Sequence, residues 1–391
     1  MIILWLACAP GTDTALPDDP LVEGRLEALT QALVDLGPRM VTSPAEAQAA
    51  ALVEASFLEV GLPAHRAPFS WDPWLPGTAS VSVGGQVLPA VPLSPSPVTD
   101  GLQGTLAVRD VAGQVALFYS DDGSRASQFT TALTGGAAAM VRISTERTHT
   151  GEPLVEVGHT LQGSALPAIA VDADTGAVLA AAVGQVVQID IDAAVVEGHV
   201  SDNVVAMVEG TAGGLVAVTA HYDSWHPSES AADNALGVAM LLLLAERLAT
   251  EQPRQSVLFL VTSGEEQGLQ GAIHWIADNP DLASDVDEVI NLDVPWASEG
   301  DLLCGATELD AAEAAADAMA AEGLFATPFL GPSPASDHFP FQVRGADALW
   351  CSRYPYREYH TDADTIDQIN MTEAAAVLRA HWAILWAAAG P

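Results

Sequence analysis

Three short stretches in the second half of the chain, 215–220, 256–262 and 289–292, are almost wholly apolar, and each runs directly into titratable residues. A strand with no polar face must be covered on both sides, which a solvent-facing hairpin cannot provide. Between and after these stretches lie segments of helical length at 235–248, 268–278, 309–322 and 372–389, the last opening on Thr372 as an N-cap. Strands alternating with helices predict an α/β fold, a mixed and mostly parallel sheet sandwiched by helices.

The first half has a different texture. Leu26, Leu29, Leu33 and Leu36 recur at helical spacing over 21–36. A second helix is predicted from Ser43-Pro44-Ala45-Glu46 to Gly61, with Ser43 as N-cap, Pro44 in the first turn and Glu46 completing a capping box. From 78 to 196 short β-branched runs such as Val81-Ser82-Val83 alternate with Gly, Pro, Asp and Ser, with Ala-rich helical pieces at 126–138 and 174–183. That pattern predicts a β-rich inserted domain. The organisation is therefore an N-terminal tail (1–20), a main domain built from 21–77 and 197–391, and an insert over 78–196.

Charge narrows the function. The formal net charge is -38, all 13 basic residues are arginine, and none cluster. Phosphate neutralisation requires clustered cations, so nucleic acid is excluded as a partner, as is a polybasic membrane contact. With 49% hydrophobic residues the chain has ample core, and its acidic surface suits a saline or extracellular setting. The apolar run Met1–Ala7 ending at Cys8 resembles a bacterial lipoprotein leader, although no basic residue precedes it. Export follows as an expectation, with a lipid anchor at Cys8 as the membrane contact. Cys304 and Cys351 are too few for a disulfide framework, and a single bridge or two buried thiols both remain open.

The strand ends carry the chemistry. In open α/β sheets, sites form beyond the carboxyl ends of strands. Here those ends read His221-Tyr222-Asp223, Ser263-Gly264-Glu265-Glu266 and Asp293, with Asp233-Asn234 before an apolar helix and Tyr359-His360 near the end of the chain. Taken singly, Asp233 reads as a helix cap, the Glu pair as a solvated turn and each His as structural. Together at one edge they form a nitrogen and oxygen donor set suited to zinc, or to manganese or cobalt, because unpaired carboxylates are costly in a crevice unless they hold a cation.

The pieces HYDS (221–224), ADNALGVA (232–239), TSGEEQGLQGA (262–272), NLDV (291–294), SDHFPF (336–341) and YHTDADT (359–365), in that order, resemble the two-zinc exopeptidase family. That family includes bacterial leucyl-type aminopeptidases, plasma glutamate carboxypeptidase and glutaminyl cyclases. Gly37-Pro38-Arg39 resembles the family's opening, and GQVALF with LPAIAVDADTGAVL (166–179) resembles a protease-associated domain.

The resemblance implies a phosphorylase/hydrolase-like sheet. It assigns His221 and Asp293 to one zinc, Glu266 and His360 to the other, and Asp233 to both. Glu265 is implied as general base, acting on a hydroxide bridging the metals, and Asp223 as the residue orienting His221. The Asp233–Asn234 peptide is implied to be cis. Relatives place a glycine before the bridging aspartate, where this chain has Ser230-Ala231.

The implied activity is removal of N-terminal residues from peptides. The alternatives are carboxypeptidase or dipeptidase action, or glutaminyl cyclisation with one tightly held zinc. His226 reads as a surface residue and His338 as a pocket residue outside the ligand set. Tyr354, Tyr356 and Tyr359 are candidates for carbonyl binding or specificity, and Trp225, Trp296 and Trp350 for core or pocket. Oligomeric state is not encoded legibly.

Overall fold

The computed structural model describes residues 20–109, 112–160, 165–225 and 228–390; Cys8 and His226 lie outside them. The chain opens with helices α1 (Pro20–Val34) and α2 (Pro44–Glu59) and strand β1 (Ala64–Trp71). The next strands are β2 (Trp74–Val83), β3 (Gln86–Pro92), β4 (Thr99–Val108) and β5 (Val115–Tyr119). Helix α3 (Arg125–Thr134), β6 (Ala139–Ile143), β7 (Ala168–Val171), helix α4 (Ala173–Ala181) and β8 (Val186–Val195) follow.

The chain then runs through β9 (His199–Val208), β10 (Leu215–His221), α5 (Leu236–Ala249), β11 (Ser256–Thr262), α6 (Gln270–Asp278), α7 (Pro280–Ser284) and β12 (Val286–Asn291). It ends with β13 (Asp301–Ala306), α8 (Leu309–Ala321), β14 (Ala326–Leu330), α9 (His338–Gln342), β15 (Asp347–Tyr354) and α10 (Met371–Ala389).

Eight strands form the main sheet in the order β1-β9-β11-β10-β12-β15-β13-β14. Its centre is parallel: β10 pairs with β11 and β12, and β12 with β15, while β9 pairs antiparallel with β1 and β11, β13 antiparallel with β15, and the edge strand β14 parallel with β13. Every residue of β10 is buried, as an apolar strand between two helical layers must be. One face packs on α5 and α10 through Val216, Val218, Phe259 and Ile290, and the other on α6 through Ala217, Leu258 and Leu260. Each fully buried Val, Leu, Ile or Phe among them stabilises the fold by about 1.5–3 kcal/mol. Cys304 and Cys351 lie directly opposite each other on β13 and β15 and form a disulfide.

Strands β2 to β8 close into a separate barrel in the order β2-β3-β7-β6-β5-β4-β8, with its own core of Leu106, Leu117, Val141 and Ile189.

Three local expectations are corrected. The helix expected over 126–138 ends at Thr134, because Gly135-Gly136 breaks it and Gly136 takes φ 74°. The cap of α10 is Asn370, whose side chain accepts from Glu373 N, and Thr372 lies inside the helix. Ser43 does cap α2, but the Glu46 carboxylate does not return to Ser43 N. It accepts from Thr42 N at 2.7 Å and meets Ser201 Oγ at 2.6 Å and Ser263 Oγ at 2.8 Å, fastening α2 to the sheet. No helix among the described residues is long and apolar enough to cross a membrane.

Candidate metal centre

The carboxyl ends of β10, β11 and β12 and the turn after β15 meet in one place. His221, the last residue of β10, puts Nε2 3.2 Å from Asp233 Oδ1, 3.4 Å from Asp293 Oδ1 and 3.9 Å from Glu265 Oε2. His360 Nε2 lies 3.2 Å from Asp233 Oδ2 and 3.1 Å from Glu266 Oε2. Asp233 thus offers one oxygen to each imidazole. Two donor triads result, His221–Asp233–Asp293 and Asp233–Glu266–His360, each with its ligand atoms within 4.8 Å of one another.

Asp233 is held in place from several directions. Ser230 takes φ 52°, a left-handed conformation that favours glycine. The buried Arg39 guanidinium donates to the carbonyls of Tyr222 at 2.8 Å, Glu229 at 2.7 Å and Ser230 at 2.9 Å. The Asp364 carboxylate accepts from the N–H groups of Ala232 at 2.8 Å and Asp233 at 3.1 Å. The Asp233–Asn234 peptide is cis, and Asn234 Nδ2 donates to Leu292 O at 2.7 Å, beside Asp293. Gly237 permits this: a β-carbon there would sit 2.1 Å from Asn234 Oδ1 and 2.5 Å from Leu292 O.

The Glu265–Glu266 turn is fixed by Asp223, whose two carboxylate oxygens accept the N–H groups of Glu265 and Glu266, each at 3.2 Å. His221 Nδ1 lies 3.2 Å from the Asp223 carbonyl oxygen and 3.6 Å from its carboxylate.

The donor set fits divalent cations. His221 Nε2 and Glu266 Oε1 are buried with no hydrogen-bond partner. Burial alone would lower the His221 pKa, but Glu265 and contacts with Asp223, Asp233 and Asp293 hold it well above the usual range. His360 behaves alike: burial lowers it, yet Glu266 and Asp233 push it up to about 10. Burial raises the Asp233 carboxyl, and its contacts with both imidazoles pull it below the ordinary range. Such a field draws positive charge, and mixed imidazole and carboxylate donors suit zinc.

A cleft of about 780 Å³ opens onto the centre. Glu265, Tyr354, Tyr359 and Trp350 line it, as does an apolar wall including Leu269, Ile273 and Phe339. Tyr356 instead points to Asp364 Oδ2 at 3.4 Å. His338 stands apart from the triads, with Nε2 2.6 Å from Ser333 O and its ring stacked on Trp350. Trp225 is buried against His360, and Trp296 is buried, donating to Glu373 at 3.1 Å.

Sequence reasoning missed Arg39 and Asp364 as supports, and it missed Arg125 and His159 of the barrel region, which also line the cleft. Asp364 lies inside a quoted motif. Arg125 and His159 carry no local signal, because the barrel region meets the centre through a contact between Val157 and His360, 203 residues apart.

Fold and donor set together are those expected of a metal-dependent hydrolase. Residues 203–385 match the model of Peptidase family M28. Aminopeptidase YwaD of Bacillus subtilis (strain 168) is 25% identical over 369 residues, covering 86% of this chain and 78% of that one. Among solved structures, a peptidase M28 precursor from Shewanella amazonensis SB2B superposes with a TM-score of 0.77 at 19% identity, covering 95% of this chain and 96% of that chain. A zinc aminopeptidase from Bacillus subtilis gives 0.74 at 21% identity, covering 95% and 94%. The recognition made from the motifs therefore stands: residues 203–385 are similar to Peptidase family M28, and this likeness together with the aminopeptidase relative supports an enzyme, a metallopeptidase.

Proposed function

We propose that the chain is an aminopeptidase that holds two zinc ions and removes single N-terminal residues from peptides. The observation that carries this reading is Asp233, one oxygen toward His221 and the other toward His360, at the floor of a cleft that Glu265 also lines. His221 and Asp293 hold one ion, Glu266 and His360 the other, and Asp233 both. When bound, zinc lowers the pKa of water and polarises a carbonyl oxygen.

The proton traffic falls to Glu265. Burial raises its carboxyl well above the usual range, and Asp293, Glu266 and Asp337 push the same way against His221. A carboxyl with a raised pKa is suited to accept the proton of the attacking water and return it to the departing amine. Asp223 holds the turn that aims Glu265, through the two backbone N–H groups. The carboxylate-lined floor favours a substrate's ammonium end, and the apolar wall favours an apolar first side chain.

The barrel is read as a protease-associated-type module. The Cys304–Cys351 bridge supports export, since disulfides persist in oxidising compartments.

A panel of aminoacyl anilides, dipeptides, blocked peptides and N-terminal glutamine peptides, assayed with and without chelator and followed by metal analysis, tests the reading. Chelator-sensitive release of free N-terminal residues by protein carrying two zinc ions is the expected result. Cyclisation without hydrolysis, or release from the carboxyl end alone, would overturn it.

A further inference from the structure

His360 reaches the centre from a strained backbone: its φ is 55°, in the left-handed region that a β-carbon disfavours. What holds it there comes from the barrel region. Val157 N–H donates to the His360 carbonyl at 3.1 Å. His360 Nδ1 lies 3.2 Å from the Val157 carbonyl oxygen. A carbonyl only accepts, so Nδ1 carries the proton of the neutral ring, and Nε2 is left with its lone pair toward Asp233 and Glu266.

The same carbonyl oxygen receives Arg125 Nη1 at 2.5 Å. Arg125, the first residue of α3, also donates through Nε to His159 O at 2.6 Å and through Nη1 to Glu156 Oε1 at 2.8 Å. The carbonyls on both sides of Gly158 are thereby pinned by one guanidinium. Glu156 is anchored in turn to the barrel wall. Arg142 Nη1 on β6 donates to its carboxylate at 2.7 Å, and Ser144 Oγ accepts its N–H at 2.9 Å. Gly158 has φ 130°, and a β-carbon there would lie 2.3 Å from Arg125 Nη2 and 2.7 Å from His360 Nδ1. A residue without a side chain lets guanidinium and imidazole close on the same turn.

We infer that Arg125 is a positioning residue of the metal centre: through the Val157 carbonyl, the barrel fixes the tautomer and aim of His360. This rests on reading the two triads as metal sites, and it makes the barrel a structural part of one of them. The His221 triad has no such contact with the loop 156–159, so the two ions respond unequally to its loss.

The test uses the full chain as wild type, Arg125→Ala and Arg125→Lys, titrated with Zn²⁺ against a chromophoric chelator. The visible bands of the Co²⁺-loaded proteins report ligand geometry. Loss of a group that orients a ligating imidazole weakens metal affinity about 10- to 100-fold. Arg125→Ala is expected to weaken one zinc equivalent by that factor and shift the Co²⁺ bands, with the other equivalent and the far-ultraviolet circular dichroism unchanged. Arg125→Lys, which keeps the charge and one donor, restores part of the affinity.

Unchanged affinity, or equal weakening of both equivalents, overturns the inference. If Arg125→Ala does not fold, Gly158→Ala is read in the same assay, with the same selective loss expected and unchanged affinity decisive against it. Hydrolysis by the wild type is scored separately. Its absence sinks the functional reading while the titration still judges this one, and a wild type that takes up no Zn²⁺ overturns both.

Discussion

Strand β5 leads through α3 to the parallel β6 in the barrel, as β10 leads through α5 to the parallel β11 in the main sheet. The two regions share this device, yet one builds a site and the other does not. At the barrel's strand ends the polar groups are consumed locally. Ser120, after β5, bonds Thr145, after β6, at 2.7 Å, and Asp172, after β7, caps α4 by accepting from Thr175 N at 2.6 Å. At the main sheet's strand ends, His221 Nε2 and Glu266 Oε1 are buried without a partner. Architecture does not distinguish the regions; local satisfaction of the strand-end side chains does. A buried polar group that its own turn leaves unpaired is held for something else.

The sharpest way to break this contrast is to mutate one carboxyl at each edge. Glu265→Gln should lower kcat by about 10²- to 10⁴-fold with zinc uptake unchanged, since it removes a proton carrier and no ligand. Asp172→Ala should leave kcat alone and cost about 0.5–2 kcal/mol of stability, the worth of a helix cap. Steady-state hydrolysis and urea unfolding measure the pair. Equal activity in Glu265→Gln and wild type would remove the assigned role.

The cores, by contrast, should be indistinguishable. Leu117→Ala in the barrel and Leu258→Ala in the sheet both truncate fully buried side chains, and each should cost about 2–5 kcal/mol. Hydrogen exchange on β5 and β11 assigns the loss to its region, and protection unchanged in both would contradict the packing described.

The same contrast explains what was readable beforehand. The apolar strands 215–220 and 256–262 announce the central sheet because a double-sided core leaves no polar positions. The seven residues that meet at the candidate centre were nameable because each sits at the end of such a strand or in a short motif. The barrel's closure was not legible, since β5, β6 and β7 pair in parallel across long gaps. Glu46 looked like a cap completer because its bonds to Ser201 and Ser263 cross 155 and 217 residues. Arg125 was invisible for another reason: a guanidinium aimed at a backbone carbonyl leaves no pattern in sequence. What stays hidden is long-range polar pairing, and the supports of this site are made of it.

Smaller effects probe the seam between the regions. Gln267, next to a proposed zinc ligand, accepts from Trp74 N at 2.9 Å and donates to Trp74 O at 2.8 Å, joining the β11 turn to the first residue of β2. Gln267→Ala leaves both backbone groups of Trp74 without that side chain, and should cost about 1–3 kcal/mol in urea unfolding. A cost below that range would mean that water replaces the side chain and the seam is looser than described.

The least effect is expected from ion pairs on the two surfaces. Arg66 joins Glu54 at 2.9 Å and Asp202 at 3.3 Å beside the main sheet, and Arg109 meets Asp122 at 2.8 Å on the barrel. Exposed pairs contribute about 0–1 kcal/mol, because holding two long side chains together offsets much of the Coulomb gain. In a chain of net charge -38, however, each arginine also relieves a wider acidic field. Arg66→Ala and Arg109→Ala should therefore each destabilise slightly at low ionic strength. Both losses should fade at 1 M salt, where the screening length falls to about 3 Å. Unfolding in urea at two salt concentrations separates the causes. A loss that persists at high salt in Arg66→Ala alone would assign its effect to packing of the aliphatic stem against the sheet. The two regions would then differ at their surfaces as well as at their strand ends.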